Sequence, residues 1–88
     1  MKITWGPVAW DDYCRWLDED PKIARAINGL IRDTRRDPFR GLGKPEPLKH
    51  ELRGWWSRRI TAEHRLVYRV AGTRAEQHVE ISSCRYHF

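Results

Sequence analysis

The sequence predicts an α+β fold: an N-terminal strand and a helical hairpin packed on a twisted antiparallel sheet. Two observations carry this. Between residues 7 and 38 the apolar side chains recur at helical spacing in two stretches, each opened by a proline. After residue 50 the period falls to two, and short polar stretches divide the alternating runs. Strands joined by such short turns pair antiparallel.

Taken in order, "KITW" at the N-terminus reads as a short strand. Gly6 then caps a helix and Pro7 takes its first position, where a missing N–H costs nothing. Trp10, Tyr13, Cys14 and Leu17 follow at i, i+3, i+4 and i+7, the spacing of one core-facing stripe. Asp18, Glu19 and Asp20 end that helix; Asp20 caps the next, and Pro21 starts it. Ile23, Ile27, Leu30, Ile31 and Thr34 form the second stripe, with Arg25, Arg32, Arg35 and Arg36 off it, and Pro38 stops the helix. Two helices joined this tightly form an antiparallel hairpin.

Residues 38–50, "PFRGLGKPEPLKH", read as a loop of three prolines and two glycines. "ELRGWWSRRI" reads as one or two strands broken at Gly54, "TAEH" as a turn, "RLVYRV" as a strand, "AGTRAE" as a turn and "QHVEISSC" as a last strand. At 88 residues the whole chain, 1–88, is expected to be one domain with a thin core that oligomerisation would reinforce. There is no apolar run of membrane-spanning length and no secretory signal at the N-terminus, so the expected compartment is the cytoplasm. There the two cysteines, Cys14 and Cys84, are expected to stay reduced as small buried hydrophobes. "CRYH" has C-x-x-H spacing, but no second ligand pair accompanies it, so neither metal nor cofactor is expected.

Formal net charge is +5, and its distribution is uneven. Residues 1–31 carry a net charge of −1, residues 32–69 carry +6, and residues 70–88 are balanced. A local excess of cations interleaved with Trp and Tyr rings favours a polyanion partner, above all nucleic acid, over a face that is merely solvated.

Chemistry concentrates in three places. Glu46 stands between Pro45 and Pro47. Each proline fixes its own φ and drives the residue before it out of the helical region, so Glu46 is held extended, either as a general base must be held or because the prolines simply stiffen the loop. In "EHRLVYRV" alternation puts Arg65, Val67 and Arg69 on one strand face and Leu66, Tyr68 and Val70 on the other. In "WWSRRI" Trp56, Arg58 and Ile60 share one face, opposite Trp55, Ser57 and Arg59. Arginines on a sheet face present bidentate donors to phosphate, or simply solvate that face. At the C-terminus His87 lies between Tyr86 and Phe88, an imidazole able to move a proton flanked by rings on which a base can stack. A fixed carboxylate, a strand cation and an imidazole are the parts of RNA phosphodiester cleavage: a base for the ribose 2′-OH, a cation for the phosphorane and an acid for the leaving 5′-oxygen.

"KPEPLKHELRGWWSRRITAEHRLVYRV" and "CRYHF", with the early "WDDY" and "DTRRDPF", closely resemble the YoeB/Txe toxins of bacterial type II toxin–antitoxin pairs, in the RelE-like superfamily. The resemblance implies a RelE-like fold and a metal-independent endoribonuclease that cuts mRNA in the ribosomal A site through the 2′-OH. By resemblance Glu46 is the general base, Arg65 the transition-state cation and His87 the general acid. Lys49 and Arg59 resemble phosphate and ribosome contacts, and Lys44, Tyr86 and Phe88 complete the expected RNA-binding set. The family usually ends in tyrosine where this chain has Phe88, so the ring is kept and the hydroxyl is not. The stretch between Val70 and Ile81 is longer than in close relatives. The implied partners are a YefM-like antitoxin, mRNA and rRNA in the 30S A site, a second copy in a homodimer, and operator DNA through the antitoxin complex, with no membrane. The competing expectation is a basic RNA- or ribosome-binding module without catalysis.

Overall fold

In the computed structural model, which describes residues 1–86, two helices cover one face of a five-stranded mixed sheet. The elements are β1 (Lys2–Trp5), α1 (Pro7–Glu19), α2 (Pro21–Arg36), β2 (Glu46–Pro47), a 3₁₀ turn (His50–Leu52), β3 (Trp56–Arg59), β4 (Arg65–Gly72) and β5 (Gln77–Ser83). The sheet order is β1-β5-β4-β3-β2. β2 through β5 pair antiparallel, as expected. β1 differs: it adds to the outer edge of β5 in parallel, Lys2 opposite His78 and Trp5 opposite Ile81. The helical hairpin between β1 and the rest of the chain carries that strand across the sheet, so its direction was not set by a local turn.

The hairpin hinges on one residue. Asp20 ends α1 with its N–H donating to the Trp16 carbonyl, and its carboxylate accepts the Lys22 N–H at the start of α2. The α2 stripe packs as its spacing predicts, with Ile27, Leu30 and Thr34 buried and Ile23 and Ile31 half-buried beside them. α1 does not. Trp10 and Leu17 are exposed, and the buried residues are Ala9, Asp12 and Trp16. The helix is turned so that a carboxylate and an indole N–H face the chain near residue 84, where they find backbone partners. Trp10 is left in an outward cluster with Trp5 and Tyr13, their ring centroids 5.0 to 6.0 Å apart.

The core lies between the helices and the inner sheet face, with Leu66, Tyr68, Val79 and Ile81 meeting Ala9, Trp16, Ala24, Ile27 and Leu30. Burial of these side chains is the main stabilising term, about 25 cal/mol for each Å² removed from water. Arg58 sits within this layer, fully buried. Its Nε donates to the Tyr68 hydroxyl, Nη1 to the Asp33 carboxylate at 2.7 Å and to the Leu42 carbonyl, and Nη2 to the carbonyls of Asp37 and Arg40. Alternation places Arg58 correctly with Trp56 and Ile60, but the face they share is the core face rather than one open to phosphate. The Tyr68 hydroxyl also donates to the Pro38 carbonyl, and burial pushes its phenol pKa up, so it stays a donor. These bonds tie residues 37–42 to the sheet without regular structure.

Candidate active site

Glu46 and Pro47 form the edge strand β2, a strand hidden in a segment whose prolines and glycines read only as loop. Glu46 pairs with Ser57, Ser57 with Val67, and Arg59 with Arg65. Directly opposed residues share a face, so Glu46, Ser57, Arg59, Arg65 and Val67 all project from the side of the sheet away from the helices. Ser57 and Val67 are buried although Val67 is not part of the helix-side core. They make a floor, with the exposed Glu46 and Arg59 and the half-buried Arg65 around it. Two strand spacings and two residues of rise separate Glu46 from Arg65, roughly 12 Å between backbones. Carboxylate and guanidinium thus stand on one face of the sheet, two strands apart.

Arg65 is not a free cation on a flexible stem. Its Nη1 donates to the carbonyls of Thr61, Ala62 and His64. The 61–64 turn is itself closed by Ile60 and Thr61 N–H groups on the His64 carbonyl, and by the Thr61 hydroxyl accepting from the N–H groups of Glu63 and His64. Arg59 is fixed through its backbone, its N–H donating to the Gly43 carbonyl at 2.7 Å. A Cβ on Gly43, where φ is +77°, would stand 2.9 Å from the Arg59 carbonyl, so only glycine permits this approach. Lys44 and His50, on either side of Glu46 in sequence, adopt left-handed backbones with φ of 50° and 58°. Backbone strain of this kind costs on the order of 1–3 kcal/mol per residue and gathers at functional sites. Lys44 and Lys49 are both exposed next to β2.

The segment after β5 passes beside the start of β4, next to Arg65. The Cys84 N–H donates to the Asp12 carboxylate, and its carbonyl accepts from the Trp16 indole N–H. The Arg85 guanidinium lies 3.8 Å over the Trp16 ring and pairs with Glu19. The Tyr86 N–H donates to His64 Nδ1 at 2.8 Å, and its carbonyl accepts the Arg65 N–H at 3.0 Å. Tyr86 is exposed and takes a φ of 62°. His87 and Phe88 lie outside the described residues.

Sequence reasoning missed Asp12, Trp16 and His64 as the holders of this segment. The signal was a charged residue on the buried stripe of α1, which a purely apolar spacing argument passes over. Burial pushes the Cys84 thiol up to about 12, helped by the Asp12 carboxylate. Cys14 is half-buried, so only Cys84 is a fully buried small side chain as expected. Among the described residues no cluster of His, Cys, Asp and Glu could hold a metal ion. A cavity of about 640 Å³ opens at the other end of the sheet, between Lys2, Arg35, Arg74 and His78, far along β4 from Arg65.

Residues 5–88 match the family model described as "YoeB-like toxin of bacterial type II toxin-antitoxin system". The chain is 56% identical to Toxin YoeB of Escherichia coli K12, with all of both chains covered. Its fold superposes on the YoeB/ParE toxin from Agrobacterium tumefaciens with a TM-score of 0.95 at 53% identity, again over the full length of both. It is also similar to the toxin in the YoeB–YefM complex from Staphylococcus aureus, with a TM-score of 0.87 at 42% identity over 100% of this chain and 98% of that one. The family match, the identity over the full chain and the shared fold have one explanation: the chain belongs to the YoeB-like toxins of bacterial type II toxin–antitoxin systems.

Proposed function

We propose that this toxin is a metal-independent endoribonuclease that cuts mRNA in the ribosomal A site. One observation carries the reading: the strand register sets Glu46 and Arg65 on one sheet face with Arg59 opposite Arg65. Glu46 takes the proton from the ribose 2′-OH, whose oxygen attacks the adjacent phosphorus. Arg65, already braced by the 61–64 carbonyls, holds the charge that grows on the phosphorane oxygens without reorganising at that moment. His87 protonates the leaving 5′-oxygen, and the product is a 2′,3′-cyclic phosphate. Lys44, Lys49 and Arg59 supply the cations that track the RNA backbone, and Tyr86 and Phe88 supply rings for stacking.

The partner is an antitoxin of the YefM kind, whose acidic and apolar segment covers this cationic face until it is removed. The complex formed by the Staphylococcus aureus relative supports that assignment. The site of action is the cytoplasm, where ribosomes are. The test is primer extension on a translated message. A 2′-deoxy nucleotide at the cut site abolishes cleavage there, and Glu46→Gln lowers the rate by about 10² to 10⁴ with ribosome binding kept. Cleavage of the deoxy substrate at the normal rate means that water attacks, and this mechanism falls.

A further inference from the structure

His64 is buried, 9% exposed, and its ring stands edge-on to Trp16 with centroids 4.7 Å apart. Nδ1 accepts the Tyr86 N–H at 2.8 Å, so the neutral ring carries its proton on Nε2. Its own carbonyl receives Arg65 Nη1 together with the N–H groups of Ile60 and Thr61. The next residue along, Arg65, donates its N–H to the Tyr86 carbonyl. One residue thus touches two parts of the proposed site: the turn that braces the Arg65 guanidinium and the segment that leads into His87.

We propose that His64 is a positioning residue for the cleavage reaction: its Nδ1 fixes Tyr86, and with it the start of the His87 segment, beside Arg65. This rests on the reading of Arg65 and His87 given above. The chemistry needs an acceptor at this one place. An imidazole seated against an indole supplies it on a rigid ring with two torsions, and the Tyr86 N–H, on a residue held at positive φ, would otherwise lose this acceptor. A proton donor must sit within fractions of an ångström of its target, and a misplacement of about 1 Å costs on the order of 10²-fold in rate. His64 itself does not touch the substrate. Its ring is packed under Tyr86, whose own ring lies 5.3 Å away.

Two full-length variants separate the acceptor from the bulk of the side chain. In His64→Asn the amide oxygen falls where Nδ1 sits. In His64→Gln it falls nearer to Nε2, at almost unchanged volume. Hydrogen exchange of the Tyr86 amide reads the clamp directly, and single-turnover cleavage of ribosome-bound mRNA, with ribosome affinity measured apart, reads its consequence. His64→Asn keeps the Tyr86 amide protected and stays within about threefold of the normal rate, whereas His64→Gln loses protection and slows cleavage by about 10²-fold at unchanged affinity. In a His87→Ala background His64→Gln has no further effect on rate, because both act through one group. A protected Tyr86 amide in His64→Gln overturns the proposal, as does normal cleavage once protection is lost. So does a loss in affinity rather than rate, or an Asn variant no better than Gln. The amide measurement needs no nuclease activity. If the unmutated chain cuts no RNA, the proposed function falls while the clamp is still judged by Tyr86.

Discussion

Arg58 and Asp33 form an ion pair of 2.7 Å between β3 and α2, and the arginine side chain has no exposed surface. The rest of its guanidinium is spent on the carbonyls of Asp37, Arg40 and Leu42 and on the Tyr68 hydroxyl. A strand, a helix end and a loop are thereby fixed by one side chain. The loop it fixes leads through Gly43, whose carbonyl binds Arg59, into Glu46. Arg58 thus holds the proposed base in place from the opposite face of the sheet.

Replacing Arg58 by Met keeps the apolar stem and removes the donors. Breaking a buried pair in this way leaves charge and carbonyls without partners, and the expected loss is on the order of 3 kcal/mol. Urea unfolding checks it: the midpoint falls with the slope unchanged. Since typical domains have only about 5–15 kcal/mol in total, this variant is also expected to express poorly.

Acid should release the same pair. The Leu42 N–H, then the Arg58 guanidinium, hold the Asp33 carboxyl down at about 2, from an ordinary 3.8. A carboxyl with a lowered folded-state pKa stabilises fully above its unfolded value and stops doing so as pH falls through the folded one. Thermal midpoints should therefore drop between pH 4 and pH 2. Asp33→Asn is less stable at neutral pH and shows a shallower drop over that window. An equally steep drop in that variant would assign the acid transition to other carboxylates.

The two thiols should differ in reactivity. Cys84 is fully buried, with Sγ 3.6 Å from the Ala9 carbonyl and its pKa pushed up to about 12. Alkylation reads the thiolate, so Cys84 should be inert to iodoacetamide at pH 8 in the folded chain and react only on unfolding. Mass spectrometry after timed labelling distinguishes Cys84 from the half-buried Cys14.

The cations should divide by role. Arg65→Ala is expected to slow cleavage far more than it weakens ribosome binding, since its best contact forms as charge develops. Arg59→Ala is expected to weaken binding and reduce the salt slope by about one unit, the signature of one lost phosphate contact. Single-turnover rates and binding isotherms at several salt concentrations check both. The opposite pattern would exchange the two roles.

Removing His87 and Phe88 should leave the circular dichroism spectrum and thermal midpoint close to normal. Backbone anchors at Cys84 and Tyr86 hold the preceding segment without them. Cleavage should fall by about 10² to 10⁴, as for loss of a general acid. A truncated chain that folds and cuts at the full rate would remove His87 from the mechanism.

What the sequence disclosed follows from what its patterns encode. Both helices were legible because proline and cap agree at Gly6 and Pro7 and at Asp20 and Pro21, and in α2 the stripe agrees with them. β4 and β5 were legible because alternation survives in "RLVYRV" and "QHVEIS". β2 was not, since two residues have no period; its pairing with β3, Glu46 with Ser57 and Pro47 with Trp56, defines it. "ELRG" became a 3₁₀ turn and a left-handed Gly54 rather than strand, because Trp55 bonds back to Leu52 and Leu48. Arg58 looked like any strand arginine until Asp33, 25 positions away, was brought beside it. The stripe of α1 was misjudged for the same reason: Asp12 is buried by a backbone N–H that lies 72 positions downstream. Local pattern records faces, while partners for polar groups come from topology.

The place of β5 between β1 and β4 sets an order in time. A ribosome making this chain releases β1, both helices and β2 to β4 before residues 77–83 emerge, yet every partner of β1 lies on β5, from His78 to Ile81. Until then β1 has nothing to pair with, and Asp12 and Trp16 have no Cys84 to hold. A nascent chain already carries Glu46 and Arg65, but β4 has no β5 at its edge and Arg65 has no Tyr86 beside it. The strand that closes the sheet is thus also the one that brings Asp12, Trp16 and Arg65 their backbone partners, so the proposed site and the fold are completed by the same late event.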